Sequence, residues 1–152
     1  MPLTVHGIPE ILALEGRDLG HSAWKDVTQE LIDAYASVSG DHQWIHTDVE
    51  RAAAGPYGRT IAHGFMVLSW GIPLFGELLQ VRGVGRALNY GVNRVRYPAP
   101  VPVGSRVRLR ASVTEVKEVP RGGVQMTRGF TFELEGSPKP ACVAESLTHF
   151  YP

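Results

Sequence analysis

Between Ser39 and Ser69 lies the chain's densest cluster of reactive side chains: Ser39-Gly40-Asp41-His42-Gln43-Trp44-Ile45-His46, then Ile61-Ala62-His63-Gly64, and finally Ser69. Asp41 and His46 are five positions apart in a loop that follows a helix end. Such a pair can converge on one water from two sides, which is what paired acid/base chemistry requires. Gly64 opens a later helix, where unpaired backbone N–H groups and the positive end of the dipole face a developing negative charge. Its missing side chain lets a carbonyl oxygen come close. Each residue also has a plainer role. Asp41, just after a helix-ending Gly, suits a turn or a cap. His63 reads as a buried, hydrogen-bonded residue that orients the loop rather than as a proton donor. Gly64 fits close helix packing, and Ser69, about one turn further along, suits a hydroxyl bonded to its own helix backbone. The joint occurrence of Asp41, His46 and Ala62-His63-Gly64 favours the chemical reading.

Two other patterns fall away. His42 and His46 would share a helix face as metal ligands, but Gly40 ends the helix before them and no His-Glu-x-x-His occurs, so no metal site is expected. Gly83-Val84-Gly85 lacks the spacing of a dinucleotide fingerprint.

The elements that must hold the cluster follow from periodicity. Thr28 caps a helix in which Leu31, Tyr35 and Val38 share a face, and Gly40 stops it. Asp48 caps a second, short helix that Gly55-Pro56 closes. A third helix, Gly64 to Gln80, is apolar around nearly its whole circumference and is therefore expected to be surrounded by protein. The second half supplies the wrapper. Val107, Leu109, Ala111 and Val113 alternate with Arg106, Arg108, Arg110 and Ser112, and Val124, Met126, Phe130 and Phe132 repeat the period of two. Strands are also expected over Leu88 to Tyr97, Ala141 to Phe150 and Gly20 to Val27. Gly122-Gly123 and Gly136-Ser137-Pro138 mark short turns, hence antiparallel pairing. The fold class is α+β: about five antiparallel strands in a long sheet curved around one buried central helix. Asn93 lies where the alternation of Leu88, Tyr90 and Val92 changes phase to Val95 and Tyr97, a hint of a bulge that aims a polar side chain into the site.

Composition bounds the rest. The chain has 152 residues, 15 Lys+Arg against 15 Asp+Glu, and one cysteine. At about 100 to 200 residues per domain the length implies one domain, residues 1–152. Zero formal net charge argues against nucleic acid as a partner. Cys142, being alone, cannot form an intramolecular disulfide, so a reducing, cytoplasmic setting is expected. The N-terminus carries no signal-peptide pattern. The longest apolar run, Phe65 to Leu79, is shorter than the roughly 20 residues a bilayer needs, so no membrane association is expected.

Ser-Gly-Asp, four residues, then His and an acidic residue two further on, followed by Ile-Ala-His-Gly opening the central helix, resembles the signature of the MaoC-like hydratases. These are the (R)-specific, or type 2, enoyl-CoA hydratases of the hot-dog fold. The match is tight over about 30 residues and looser over the strand-rich remainder, including Arg96-Tyr97-Pro98-Ala99-Pro100. His42-Gln43-Trp44-Ile45 stands where many members carry Asn-Pro, and in this the chain is similar to the nodulation protein N-like branch. The resemblance implies reversible addition of water to a trans-2-enoyl-CoA, giving the (3R)-hydroxyacyl-CoA, with no metal or redox cofactor. Asp41 and His46 would be catalytic, with Gly64, His63, Ser69 and Asn93 around the oxyanion and substrate. A hot-dog thioesterase and a non-catalytic acyl-CoA or acyl-carrier binding protein are the competing readings. The row Arg106, Arg108 and Arg110 reads as a solvated face, with coenzyme A phosphates as the alternative partner. A homodimer is expected, because one open sheet leaves an edge of unpaired N–H and C=O groups; by resemblance, the acyl-CoA thioester would lie near the subunit boundary.

Overall fold

The computed structural model describes residues 1–152. The chain runs β1 (Leu3–His6), α1 (Gly7–Leu12), β2 (Asp18–His21), β3 (Lys25–Asp26), α2 (Gln29–Ser39), α3 (Trp44–Thr47), α4 (Val49–Ala53), α5 (Gly64–Ser69), α6 (Gly71–Gly76), β4 (Leu79–Arg82), β5 (Arg86–Arg96), β6 (Arg106–Val119), β7 (Gly123–Leu134) and β8 (Cys142–Tyr151). The caps fall where the sequence places them. Thr28 accepts the Leu31 N–H at 3.2 Å and Gly40 ends α2 with φ at +79°, while Asp48 accepts the Arg51 N–H at 3.0 Å. α2 buries Ile32 and Ala36, with Leu31 and Tyr35 half-buried; Val38 stays exposed.

The main sheet is antiparallel, in the order β2-β6-β7-β8-β5, with β3 also on β6. It therefore has six strands rather than five, because the strand expected over Gly20 to Val27 is split in two. Gly20, at φ +78°, sits at a register shift, and at the break Ser22 pairs with Leu109 through both its N–H (2.8 Å) and its hydroxyl oxygen (2.9 Å). A second, two-stranded sheet pairs β1 with β4 in parallel; periodicity did not mark it, because each strand has only four residues.

The central helix is also divided. α5 and α6 meet at Trp70, and the stretch assigned to the helix end forms β4. Pro73 has no N–H to give to the carbonyl four residues back, so a continuous helix would lose a bond there. Gly71 permits a close crossing: a Cβ at this position would lie 2.7 Å from the Phe130 ring. Met66, Val67, Trp70, Leu74 and Phe75 are buried against the sheet, whereas Phe65 is 69% exposed and Ile72 46%. The helix is thus packed on its sheet side and open at Phe65 and Ile72. The expectation of a helix surrounded by protein therefore holds on one side only.

On the outer sheet face the Arg row is neutralised across strands. Arg106 pairs with Glu135, Arg108 with Glu133 at 2.7 Å, and Arg110 with Asp18 at 2.9 Å. This ladder explains the row as a solvated, self-paired face and leaves no reason to assign it phosphates.

Candidate active site

The Asp41 loop is built from its own residues. Ser39 hydroxyl donates to the Tyr35 carbonyl at 2.7 Å and accepts the Asp41 N–H at 3.2 Å, while Asp41 Oδ1 accepts the Gln43 N–H at 3.3 Å. That turn delivers the chain into α3, which faces His46 inward and buries it. His46 Nδ1 lies 2.6 Å from the Ile61 carbonyl oxygen. Gln29 ties the same pieces together from α2, donating to the His46 carbonyl at 2.8 Å and accepting from the Thr60 hydroxyl. His63, buried at the entry to α5, lies with Nε2 at 2.9 Å from the Asp41 carbonyl and its ring stacked on His46 at 3.8 Å between centres. His63 thereby braces the loop that carries Asp41.

Asp41, His46 and His63 each bring one polar atom into a group in which all lie within 4.8 Å of one another. The tautomers follow from the partners. A carbonyl oxygen only accepts, so His46 carries its proton on Nδ1 and keeps a lone pair on Nε2; His63 carries its proton on Nε2. The stack also argues against a metal clamp. Two nearly parallel rings 3.8 Å apart, 25° between planes, cannot both point an in-plane lone pair at one ion at the roughly 2.0 to 2.1 Å a Zn–N bond needs. His42 lies outside the group, on the exposed side of the loop.

Burial holds His46 below the ordinary histidine value of 6.5, and the neighbouring His63 adds to this; the Ile61 carbonyl and Asp41 push the other way without prevailing. His46 is therefore a neutral acceptor at pH 7. A group whose folded-state pKa is depressed contributes stability that is present above its unfolded value and lost as pH falls through the folded one. Both stability and activity should accordingly hold on the alkaline side of 6.5 and decline together below it. A pH profile of kcat/KM beside melting temperatures tests this; an acid limb centred above 6.5 would show that His46 is not the titrating acceptor.

Beside the pair lies a cleft of about 260 Å³, walled by His46, Tyr57, Gly64, Val67, Tyr97 and Ala141 among others. Its far wall comes from the segment after β5, held against the loop before α5 by Ala62 N–H to Val101 carbonyl (2.8 Å) and Val103 N–H to Thr60 carbonyl (2.9 Å). The Tyr97 ring lies directly over Gly64, and burial raises its phenol pKa. Ser69 and Asn93 do not join this group. Ser69 donates to the Met66 carbonyl at 2.6 Å. The bulge expected near Asn93 is present, with a register shift between Asn93 and Arg96 and Arg94 at φ +52°, but Asn93 pairs opposite Glu145 and is exposed. Tyr57, Tyr97 and Gln29 were not singled out by sequence. The proline-rich run behind Tyr97 was the available signal, since prolines keep a segment extended so that it can wall a cleft.

The chain matches the MaoC like domain family over residues 11–132. It is 51% identical over 147 residues to 3-hydroxyacyl-thioester dehydratase Z of Mycobacterium tuberculosis, covering 97% of each chain. It is 41% identical over 135 residues to nodulation protein N of Rhizobium leguminosarum, covering 88% of this chain and 84% of that one. The (R)-hydratase of Aeromonas caviae shares the fold, with a TM-score of 0.68 and 24% identity, covering 90% of this chain and 98% of that one. On the strength of a match spanning most of its length, the chain belongs to the MaoC-like domain family of hot-dog dehydratases and hydratases.

Proposed function

We propose that the protein adds water reversibly to a trans-2-enoyl-CoA, giving the (3R)-hydroxyacyl-CoA. The observation that carries this reading is the convergence of the Asp41 carboxylate and the neutral His46 within 4.8 Å of each other, beside a cleft that Gly64 fronts. A water between them gives one proton up as its oxygen attacks the β-carbon. The thioester oxygen takes on enolate character, opposite the Gly64 N–H, and the α-carbon then receives the proton. Every step uses the chain's own residues, and no cofactor enters. The (R) outcome and the thioester class are carried over from the relatives. Purified protein incubated with crotonyl-CoA, with conjugated absorbance and free thiol followed together, tests the reading. Loss of conjugation without thiol is expected; thiol release selects a thioesterase, and neither signal selects a binding protein.

We also propose a homodimer. β5 is an edge strand exposed along most of its length, Val92 included, and Phe65 and Ile72 of the central helices are exposed as well. A second copy would satisfy the free edge and cover the open flank of the central helix. Light scattering at micromolar concentration should give twice the chain mass; an active monomer would overturn the proposal. A cytoplasmic setting fits Cys142, which is buried with its thiol pushed up to about 11 and is inert there. No helix is long and apolar enough to cross a membrane.

A further inference from the structure

Arg128 points into the core from β7, in phase with Met126 and Phe130, and is 4% exposed. Its guanidinium lies 4.6 Å from the Phe75 ring centre and 5.1 Å from that of Phe130. Nη2 donates to the Ser146 hydroxyl at 2.6 Å, and Nε has no partner. No carboxylate stands at ion-pair distance. Thr148, two residues beyond Ser146 on the same face of β8, has a hydroxyl that is also buried and unpartnered. Burial pulls the guanidinium down to about 10, which leaves it cationic at neutral pH. A charge in such a place ordinarily meets an opposite one. α5, α6 and β5 themselves contain no Asp or Glu to meet it.

The position of Arg128 relative to the cleft gives the charge a use. α5 and α6 run from Gly64, at the cleft, to Phe75, over Arg128, about 16 Å of helical rise. Phe65 and Ile72, seven positions apart along these helices, are exposed, and so is Val92 on β5. Val92 stands opposite Ser146, the residue that holds Arg128. Exposed apolar side chains thus stand next to Gly64 at the proposed thioester site, on α6, and one strand away from an unpaired cation.

We infer that Arg128, with Ser146 and Thr148, receives a carboxylate at the far end of the acyl chain, so that the protein prefers carboxyl-ended acyl-CoA thioesters. This rests on the acyl-thioester reading above. The Nε and Nη2 edge offers the two parallel N–H donors that a carboxylate takes in pairs. Ser146, which accepts from Nη2, retains its own proton to donate, and Thr148 adds a second hydroxyl. The Phe75 ring, packed over the guanidinium, would swing aside to admit the chain end.

Binding of two saturated thioesters, which cannot be hydrated, separates this inference from turnover: dodecanoyl-CoA and its ω-carboxy counterpart, titrated calorimetrically into the full-length protein. The carboxyl-ended thioester should bind about 10- to 100-fold tighter, the range of a charge-assisted hydrogen bond to a buried partner. Arg128→Met should remove or reverse that preference, and Arg128→Lys should keep part of it. Where Arg128→Met folds poorly, the wild-type comparison together with Arg128→Lys still tests the site. Equal affinities, or binding of neither thioester, would overturn the site, whatever the crotonyl-CoA assay gives. A preference that survives in folded Arg128→Met would overturn it as well. If the preference is found and crotonyl-CoA is not hydrated, the receptor stands and the hydratase reading falls.

Discussion

Asp41→Asn is expected to hydrate crotonyl-CoA about 100-fold or more slowly than the parent protein while melting at nearly the same temperature, the usual range for an acid/base group being roughly 10² to 10⁴. The two outcomes separate because the structural bonds of Asp41 are kept by Asn. Its N–H goes to Ser39, its carbonyl takes the His63 proton, and its side-chain oxygen takes the Gln43 N–H at 3.3 Å. An amide preserves all three and loses only the charge and the capacity to accept a proton. His46→Ala should be slowed comparably, but it also frees the buried Ile61 carbonyl and one face of the His63 ring. Its melting temperature should therefore fall, by the equivalent of about 1 to 3 kcal/mol for an unsatisfied buried group. Two groups holding one water act as a unit, so the double variant should be scarcely slower than the poorer single one. A folded Asp41→Asn protein with near-normal turnover would remove this loop from the chemistry and bring the binding-protein reading forward.

Gly64→Val should lose turnover on a similar scale, about 100-fold, as a displacement of roughly 1 Å at a reacting centre can cost. A Cβ at Gly64 would lie 2.9 to 3.0 Å from three atoms of the Tyr97 ring, so any side chain there pushes the ring or is pushed by it. That contact makes two explanations for the glycine testable against each other. If Gly64 exists to accommodate Tyr97, then Gly64→Ala combined with Tyr97→Ala restores both space and rate. If the space belongs to a thioester oxygen facing the Gly64 N–H, the double variant stays slow while Tyr97→Ala alone is affected less. Melting curves for each variant show whether the comparison is made on folded protein. Restored rate in the double variant would return Gly64 to a packing role.

The sequence by itself determined the parts of the site whose geometry is local. Gly40 in the left-handed region and the Asp41 side chain on the Gln43 N–H are interactions over a few residues, and backbone preference together with hydrogen-bond chemistry makes them legible, whereas the single turn Trp44–Thr47 that carries His46 falls in a stretch that reads as loop. The strands β6, β7 and β8 were equally legible, because alternation with period two reports a half-buried sheet wherever it occurs. Ser69 and Asn93 show the limit. Their positions along the elements were right, with Asn93 at its bulge, but whether a side chain enters the cleft depends on what lies across from it. Tertiary structure alone decided that the His63 ring reaches the Asp41 carbonyl and stacks on His46, that Gln29 joins α2 to His46 and Thr60, and that Tyr97 covers Gly64. It also decided that Arg128, in phase with the core residues of β7, stays buried under Phe75 instead of carrying its charge out to water. The physical reason is the same in each case. Periodicity and capping record the conformation of a short segment, whereas these contacts join segments whose separation in space is set by packing the sheet against the helices.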